Sequence, residues 1–495
     1  MAVHVDEKDH SPSHLERRLS ETSSPKVLSE DDDYQIDPVA EKRMLRKIDF
    51  RLIPALFLLF LLAFLDRSNI GNARIQGMTE DLKMTGRDYN IALFIFFPPY
   101  ILFEVPCNIL IKRMKPSTFL SVIMVLWGIA TTAQGFVKNT AGLAGCRFLL
   151  GLFEAGFFPG CVYLISMYYK RYELQRRFTF FFSASIISGS FSGFLAYAIA
   201  NMSGVGGYGG WRWIFILEGL FTVLVGIASK WFVADWPEQA KFLNEDERRM
   251  LRVRLKQDGG DIRMDRLDKA ARKRVFSDWK IYCGIVMYLG VVNCSYSTSF
   301  FVPTIIQELG FTAAAAQVRS IPVYVCATLG AILTAFLTDH FRHRYAFCII
   351  GILIASVGEI LLLVGASVSV GVRYFAVFAV TTGTYVTQPV TLTWMQNNMG
   401  GHYKRSISSA MMVGFGNVGG IVASNIFLVE ERPRYPTGYG VSLGLLWVCT
   451  GACTVLLWGL RRENRKRERG ERDYRFESRE RDNLGDDFPT FRYIY

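Results

Sequence analysis

Hydrophobic residues are grouped along this chain in twelve runs of about 20 residues, with polar stretches between them. An α-helix of about 20 apolar residues is long enough to cross the hydrocarbon core of a bilayer. We therefore predict one transmembrane helix for each run. The predicted spans are 51–71, 89–111, 117–137, 142–168, 178–201, 212–234, 280–304, 318–338, 346–366, 373–396, 406–428 and 440–460.

The composition agrees with this pattern. Hydrophobic residues make up 51% of the 495 residues and aromatic residues 14%, and the mean hydropathy is +0.21. These values are too apolar for an ordinary soluble protein. The chain is predicted to be an all-α polytopic membrane protein with twelve transmembrane helices in a lipid bilayer.

The charges report how the helices are oriented. The formal net charge is +12, but Lys and Arg are concentrated in alternate loops. Cytoplasmic loops of membrane proteins carry this excess of positive charge. The pattern therefore predicts that both termini are cytoplasmic, and it does not indicate binding of nucleic acid. The basic residues of the short loops are Lys112, Arg113, Lys115, Lys170, Arg171, Arg176, Arg177, Arg342, Arg344, Lys404 and Arg405.

Polar segments divide the chain into five parts. Residues 1–45 are rich in Ser, Asp, Glu and Lys, which is typical of a disordered cytoplasmic tail and not of a cleavable signal peptide. A charged cytoplasmic link at 235–278 separates two six-helix bundles, 46–234 and 279–460, and a charged cytoplasmic tail follows at 461–495.

The two bundles repeat one plan. Arg147, near the start of span four, is matched by Arg373 near the start of span ten, about 226 residues later. The first spans of the two halves begin at a similar offset. Such repetition predicts two related bundles around a central cavity, with a substrate bound near the middle of the membrane.

Charged residues inside the apolar runs are costly and usually functional. Arg147 and Glu154 are seven residues apart, which on a helix is two turns, roughly 10 Å along the axis, at nearly the same azimuth. Both side chains can therefore face one cavity. Asp66 and Arg67 are neighbours, about 100° apart on a helix, so they face different directions.

These residue types suit an anion and a proton. The guanidinium of Arg67 presents a fixed fork to a carboxylate, and Asp66 would serve as its counter-ion, as a proton site, or as both. A carboxyl group between an apolar cavity and an arginine can exchange a proton near physiological pH. Salt bridges that only hold helices together are the alternative, but buried pairs stabilise a protein less than apolar packing does. The pattern therefore predicts a proton-coupled carrier of small anions. Glu359, in span nine, has no role that we can assign.

Other chemistry is not indicated. The nine cysteines lack the spacing of a disulfide framework or a zinc site, and the six histidines form no metal or nucleophile constellation. There is also no P-loop for ATP. We therefore expect no cofactor, no metal and no enzymatic activity. Asn201 begins a glycosylation sequon, Asn201-Met202-Ser203, in a loop predicted to face outside.

Three segments give the chain a resemblance to a known family. They are Leu65–Ala73, with the text LDRSNIGNA, Arg147–Gly160, with RFLLGLFEAGFFPG, and Gly210–Phe215, with GWRWIF. Together with the two six-span halves, they resemble the major facilitator superfamily and, within it, the anion:cation symporter family, especially its fungal allantoate and nicotinic acid permease branch. The resemblance covers the whole membrane domain and extends to Asn483–Asp487 in the tail.

The resemblance implies roles for individual residues. Asp66 and Glu154 match the acids that the family uses for proton coupling. Arg67 and Arg147 match its arginines in spans one and four, of which the first is important for the anion, and Arg147 would bind substrate or only partner Glu154.

In the second half, the resemblance puts a substrate-contacting hydroxyl at Thr391, a tryptophan at Trp394 and an amide at Asn417. A lone tryptophan near the end of a span is also often an interfacial anchor. Tyr100 in span two and Tyr296 in span seven are further candidates for contact with the substrate.

Basic turns after spans two and eight are predicted to be gating elements. Such turns latch helix ends on the cytoplasmic side in one conformation. The first turn departs from the usual superfamily text, because Asn108 stands about where that text has an aspartate. The predicted gating residues are Lys112, Arg113, Asp339, Arg342 and Arg344.

We expect a secondary active transporter in the fungal plasma membrane that acts as a monomer and imports a small organic anion together with protons. Nicotinate is the first candidate, and allantoate, pantothenate, biotin or another carboxylate is open. A proton-antiporting exporter of drugs or metabolites is the alternative, although span five lacks the Gly-Pro signature typical of such exporters. A nutrient receptor is a weaker one, because the tails are short.

Overall fold

The first half of the molecule is helical throughout its spans. The computed structural model describes residues 36–85, 87–258, 269–341, 343–477 and 483–495. The helices of the first half are α1 (Pro38–Ala73), α2 (Asp88–Phe94), α3 (Phe97–Arg113), α4 (Pro116–Gln134), α5 (Thr140–Glu154), α6 (Phe157–Ser166), α7 (Arg171–Ala200) and α8 (Gly210–Phe232).

The link and the second half follow. The link contains α9 (Glu245–Asp258) and α10 (Lys269–Phe276). The second half contains α11 (Trp279–Glu308), α12 (Ala313–Phe341), α13 (Arg344–Val364), α14 (Val370–Asn397), α15 (His402–Gly416), α16 (Val418–Ile426) and α17 (Pro436–Glu468).

Most predicted spans are confirmed as single long helices. Ten helices in the described part of the chain are long and apolar enough to cross a membrane. Three predicted spans are instead divided: 89–111 between α2 and α3, 142–168 between α5 and α6, and 406–428 between α15 and α16. The predicted span 373–396 corresponds to α14, which is continuous but rich in threonine. The all-helical membrane architecture is thus confirmed.

Helix α1 begins earlier than the apolar pattern suggested. Asp37 accepts hydrogen bonds from the backbone N–H groups of Val39 and Ala40, and Pro38 occupies the first helical position. The helix therefore starts within the segment 1–45 that was predicted to be a disordered tail. Residues 1–35 lie outside the described residues.

The two halves pack by the same plan. Helix α4 packs along α8 in the first half, and α13 packs along α14 and α17 in the second. Helices α1 and α11 each contact the last helix of their own half. Between the halves, α7 contacts α12, α1 contacts α11, and α2 contacts α16. This arrangement leaves a central space between the bundles.

One end of the molecule, which we call the tail face, contains residues 38–50, α9, α10 and the described residues of the C-terminal tail, 461–477 and 483–495. Ion pairs tie the link to the first half there: Lys47 lies 2.8 Å from Glu247, and Arg254 contacts Glu41 and Glu173. The other end, which we call the opposite face, contains the connections near 79–90, 201–210 and 427–436.

The segment 483–495, which we call the C-terminal strap, is docked on the tail face of the second half. The indole N–H of Trp394 donates to the carbonyl of Ile494 at 2.9 Å. The amide of Asn464 donates to the carbonyl of Tyr493 at 2.9 Å, and the backbone N–H of Arg344 donates to the carbonyl of Tyr495 at 2.7 Å. The end of the predicted charged tail is therefore part of the folded bundle.

A buried charge cluster fixes the strap. Asp486 is fully buried, and it lies 2.8 Å from the ammonium of Lys404 and in contact with that of Lys280. Asp278 lies 2.6 Å from Lys404 and 3.2 Å from Lys280. Two ammonium groups and two carboxylates thus neutralise each other where α11, α15 and the strap meet.

Candidate functional site

A cavity with an empty volume of about 440 Å³ lies where the two halves meet. Phenylalanine and tyrosine side chains form most of its wall. Among the described residues that line it, Arg67 is the one cation and Glu154 is the one acid. The first half adds the hydroxyl of Tyr100, and the polar residues from the second half are Tyr288, Ser295, Tyr296, Gln388 and Asn417.

Arg67 is held by one acid and by several aromatic rings. Its guanidinium contacts the carboxylate of Glu154 and the hydroxyl of Tyr296. The guanidinium carbon also lies 4.8 Å from the ring centre of Phe96, 4.9 Å from Phe64 and 5.1 Å from Tyr100. A cation over aromatic faces is stabilised by their quadrupoles. The sequence thus places a fixed, desolvated positive charge between the two bundles.

Glu154 is placed by a break in span four. Helix α5 ends at Glu154, and α6 begins at Phe157. One carboxylate oxygen binds Arg67, while the other has no hydrogen-bond partner among the described residues. Glu154 is buried and lines the cavity. A buried carboxyl oxygen without a partner is costly as an anion, so this group is suited to carry a proton.

Arg147 does not take the position that the helical spacing suggested. It is buried, but it is not among the side chains that line the cavity. Both of its terminal nitrogens donate to the backbone carbonyl of Arg67, at 3.3 Å. Arg147 thus contacts the backbone of α1 where Arg67 departs, and its contact with a substrate stays a prediction.

Asp66 faces away from the cavity, as the 100° rotation between neighbours requires. The indole N–H of Trp127 donates to its carboxylate at 3.2 Å. One turn further along α1, the amide of Asn69 donates to the buried Glu218 at 2.7 Å. The counter-ion of Arg67 is thus Glu154 and not Asp66. A proton-coupling role for Asp66 stays a prediction.

The second-half candidates divide into two groups. Tyr296 and Asn417 line the cavity, with 3.5 Å between the tyrosine hydroxyl and the amide oxygen, and Tyr100 faces them from the first half. Thr391 and Trp394 do not line it. The hydroxyl of Thr391 donates to the carbonyl of Gln388 within α14 at 2.8 Å.

Thr391 and Trp394 thus lie away from the cavity wall, and their contact with a substrate stays a prediction. Trp394 lies beyond Thr391 toward the tail face, where it binds the C-terminal strap. Gln388, almost one turn before Thr391, supplies the polar group that α14 brings to the cavity, and its amide donates to the hydroxyl of Tyr288 at 3.3 Å. The polar side chains of α14 are too alike for the sequence to show which one faces inward.

A second space, with an empty volume of about 710 Å³, lies between the halves on the tail side of the cavity. We call it the tail-side cleft. It shares the wall residues Phe158 and Val413 with the cavity. Gln396, Arg405 and Ser409 also line it. The tail-side cleft therefore adjoins the cavity on the side of the tail face.

The opposite face is closed by contacts between the halves. The amide of Asn90 donates to the carbonyl of Ser424 at 2.7 Å and to that of Phe427 at 3.2 Å. The rings of Tyr89 from the first half and Phe301 from the second meet edge to face, with centres 6.1 Å apart. At Gly71 a Cβ atom would lie only 2.8 Å from the carbonyl oxygen of Phe300, so α1 and α11 touch through their backbones.

Glu104 is a site residue that the sequence reasoning missed. It lies on α3 at the wall of the tail-side cleft, and it is buried with neither carboxylate oxygen paired among the described residues. An acid inside the predicted span 89–111 was a sufficient signal, because intramembrane charges are rare and usually functional.

The predicted gating residues fall partly outside the described structure. Arg342, and the side chains of Lys112 and Asp339, lie outside the described residues. Arg113 is exposed at the end of α3. Arg344 is buried, and its backbone holds the strap. Asn201 is exposed at the opposite face, directly after α7, and its glycosylation stays a prediction.

Comparison with known proteins gives the family. Residues 56–424 match the model of the Major Facilitator Superfamily. An uncharacterized transporter of Schizosaccharomyces pombe is 36% identical over 426 residues, which is 86% of this chain and 85% of that protein. The high-affinity nicotinic acid transporter of Saccharomyces cerevisiae is 31% identical over 469 residues, 92% of this chain and 85% of that protein.

A solved structure shares the fold. A bacterial homologue of the human lysosomal transporter Spinster, in an inward-facing and occupied conformation, aligns with a TM-score of 0.59 at 16% identity and covers 86% of this chain and 98% of its own. The membrane-length helices and the family match over residues 56–424 lead to the same conclusion. The chain belongs to the Major Facilitator Superfamily, a family of secondary transporters and not of enzymes.

Proposed function

We propose that this transporter carries a small organic anion across the membrane together with protons. The observation that carries the proposal is the contact of Arg67 with Glu154 and Tyr296 in the cavity between the two bundles. A guanidinium binds a carboxylate through two parallel hydrogen bonds, and such pairs are strong when water is excluded. Arg67 is therefore the anion ligand.

The shared guanidinium couples the anion to a proton. A carboxylate substrate that binds Arg67 competes with Glu154 for the same N–H groups. Glu154 would then be a buried charge without a cation, which is costly. It avoids this cost by taking up a proton. The anion and the proton therefore favour each other's binding, which is the thermodynamic requirement of symport.

The walls favour a flat substrate of small size. Aromatic rings surround Arg67, and the faces of aromatic rings pack well against a planar molecule. Tyr296 and Asn417 offer polar groups opposite the arginine. We propose nicotinate as the first substrate to test, supported by the 31% identity to a nicotinic acid transporter. Allantoate, pantothenate and biotin are the next candidates.

The closed opposite face and the open tail-side cleft fit one state of an alternating-access cycle. We propose that the tail face is cytoplasmic and that the carrier lies in the plasma membrane as a functional monomer, so that this state faces inward. Glu154 would then release its proton through the tail-side cleft after the anion has left. Rocking of the halves would separate Asn90 from Ser424 and open the cavity to the outside.

Uptake of radiolabelled nicotinate at about pH 5 and about pH 7 outside tests the proposal. We would compare the wild type with Glu154→Gln, and with Glu430→Gln as a control, because Glu430 is an exposed acid at the opposite face. The wild type and the control should take up more label at the lower pH. Glu154→Gln should lose this dependence on pH.

The possible outcomes distinguish an error in the proposed proton coupling from an error in the proposed substrate. If uptake by all three proteins is indifferent to pH, proton coupling through Glu154 is wrong. If nicotinate is not taken up, a panel of the other carboxylates follows. Arg67→Lys keeps the charge but loses the fork, so it should raise KM for the true substrate at least tenfold at equal amounts of protein in the membrane. An unchanged KM would contradict the role of Arg67.

A further inference from the structure

Two acids inside the first bundle, Asp66 on α1 and Glu218 on α8, take no part in the wall of the cavity. Asp66 is 1% exposed and Glu218 is 7% exposed. Asn69 lies almost one turn after Asp66 on α1, and its amide donates to Glu218 at 2.7 Å. The charge of Glu218 acts on Asp66 more strongly than the charge of Glu154 does. We call Asp66 and Glu218 the acid pair.

The acid pair has no cation of its own. Among the described residues, neither carboxylate forms a salt bridge, and their hydrogen-bond donors are the N–H groups of Trp127 and Asn69. Helix α4, which packs along α8, contains no acidic or basic residue. Helix α7 brings Ser192 to this interface, and its acidic and basic residues lie between 171 and 177, at the tail face.

The charged residues around the acid pair are engaged elsewhere. Arg67 and Glu154 bind each other at the cavity. Arg147 is close enough to act on Asp66, but its terminal nitrogens donate to the backbone carbonyl of Arg67. Arg74, directly after α1, lies over an aromatic ring of α2 at 4.2 Å. None of these described residues forms a salt bridge with the acid pair.

The acid pair is short of a hydrogen-bond donor. Oδ1 of Asp66 and Oε1 of Glu218 have no partner among the described residues. A buried carboxylate without a partner is costly, and a second negative charge nearby adds to the cost of both. One proton would remove one of the two charges, and the resulting O–H group would donate where a donor is missing. The acid pair is therefore suited to hold one proton.

A row of hydrogen bonds leads from the acid pair to a polar space between the halves. Asn69, the partner of Glu218, accepts from the hydroxyl of Ser192 at 3.1 Å, and that hydroxyl oxygen accepts from the amide of Asn72 at 2.7 Å. Asn72 and Ser192 both line a space with an empty volume of about 300 Å³. Six of the described residues that line it are serines, four from the first half and two from the second. We call this space the serine pocket.

The serine pocket lies where the halves must separate. Its walls include residues of α7 and α12, which contact each other across the two halves. At Gly193 a Cβ atom would lie 2.8 Å from the carbonyl oxygen of Gln317, so the backbones of α7 and α12 touch beside the pocket. When rocking of the halves parts these helices at the opposite face, water can enter this polar space.

We propose that Asp66 and Glu218 hold one proton between them, and that this proton crosses the membrane with the substrate in addition to the proton of Glu154. A hydronium ion in the opened serine pocket gives its proton to the acid pair and leaves as water. The binding of this proton follows from the geometry of the acid pair, whereas its transport rests on the proposed function. The transporter then carries two protons with each anion.

Infrared spectroscopy of the purified full chain in detergent at about pH 7 tests the binding, because protonated and ionised carboxyl groups absorb at different frequencies. We would compare the wild type with Glu218→Gln and with Asp66→Asn/Glu218→Gln. The control is Glu430→Gln, because Glu430 is an exposed acid. The amide side chains keep a carbonyl oxygen for the N–H groups of Asn69 and Trp127, so the variants should fold.

Glu218→Gln should lose one protonated carboxyl group, and the double variant should lose one and no more. In Glu218→Gln, Asp66 has lost its acidic neighbour and lies near Arg147, so it stays ionised. The control should lose none. No loss in Glu218→Gln, or a loss of two groups in the double variant, would overturn the shared proton. If the double variant does not fold, the single variant still decides.

Proteoliposomes that contain the same proteins test the transport. A pH-sensitive dye and radiolabelled nicotinate together give the number of protons that enter with each anion. This number should be two for the wild type and for Glu430→Gln, and one for Glu218→Gln. An unchanged ratio in Glu218→Gln would overturn the transport of this proton.

The two measurements fail separately. If nicotinate is not carried, the carboxylate found in the panel replaces it as the probe. Uptake that is indifferent to pH in every protein would contradict the proposed function and, with it, the transport of the second proton. The infrared spectra would still show whether the acid pair binds a proton, because they require no substrate.

Discussion

Replacing Asp486 by alanine should destabilise the second half more than any comparable change in the tail. The carboxylate is fully buried, accepts hydrogen bonds from Lys280, Lys404 and the hydroxyl of Tyr493, and lies 3.3 Å from the backbone N–H of Gly400. Without it, Asp278 alone faces two ammonium groups. One buried cation is then uncompensated, which costs about 3–5 kcal/mol.

The adjacent residue provides the control. Asp487 also pairs with an arginine, at 3.1 Å from Arg475, but both side chains are partly exposed. Exposed ion pairs contribute about 0–1 kcal/mol, so Asp487→Ala should cost little. Thermal unfolding of the purified transporter in detergent measures both variants. The double variant Asp486→Leu/Lys404→Met leaves Lys280 with Asp278, so it should regain most of the stability lost in Asp486→Ala.

Two results would refute this reasoning. If Asp486→Ala and Asp487→Ala lowered the unfolding temperature equally, burial of the charge cluster would not control stability. If the double variant were as unstable as Asp486→Ala, the cost would come from lost contacts of the strap and not from an unpaired charge. Proteolysis of the strap in each variant would show whether it has left the bundle.

Three further predictions concern protonation and packing. Burial alone would raise the pKa of Asp486, but Lys280 and Lys404 hold this pKa well below its ordinary range. The stabilising contribution of Asp486 is therefore present above about pH 4 and is lost as the pH falls further. Below about pH 4, the stability of Asp486→Ala should depend less steeply on pH than that of the wild type. Glu104→Gln should not lower the unfolding temperature, because neither carboxylate oxygen has a partner among the described residues to lose. A fall would reveal a hidden ion pair. Gly71→Leu should open the opposite face, because its Cβ would lie 2.8 Å from the carbonyl oxygen of Phe300. Thiol labelling of a cysteine introduced by Ser424→Cys should then increase. The control Gly145→Leu, at a position with open space around it, should leave the labelling unchanged.

The apolar runs predicted most of the fold because membrane spans are local. A run of about 20 apolar residues has one structure available in lipid, whatever its neighbours are. The exceptions were three breaks, which divide single spans into α2 and α3, α5 and α6, and α15 and α16. These breaks have no clear signal in hydropathy.

The site was predicted in its residue types but not in its pairing. The seven-residue spacing suggested that Arg147 and Glu154 act together, but the cation at Glu154 is Arg67, 87 residues earlier in the chain. Helical geometry fixes only which way a side chain points on its own helix. Tertiary packing decides which helix lies opposite that side chain, and residue spacing along one helix does not show it.

The C-terminal strap was misread for a similar reason. Its many charges are typical of a solvated tail, and residues 461–495 were predicted as such. Asp486 is instead buried because Lys280 lies opposite it, 206 residues earlier. Trp394 illustrates the same limit, since its indole partner is the carbonyl of Ile494, 100 residues away. The composition of a segment predicts whether it is folded only when no distant part of the chain binds it.

The strap has a consequence for how the protein is made. Lys280 enters the membrane domain early in the synthesis of the second half, but its partner Asp486 is translated 206 residues later. Until Asp486 has been translated, α11 and α15 hold two ammonium groups against the single carboxylate of Asp278. The charge cluster is therefore completed 206 residues after Lys280 has been made, and a variant truncated before Asp486 should be recognised by membrane quality control and degraded.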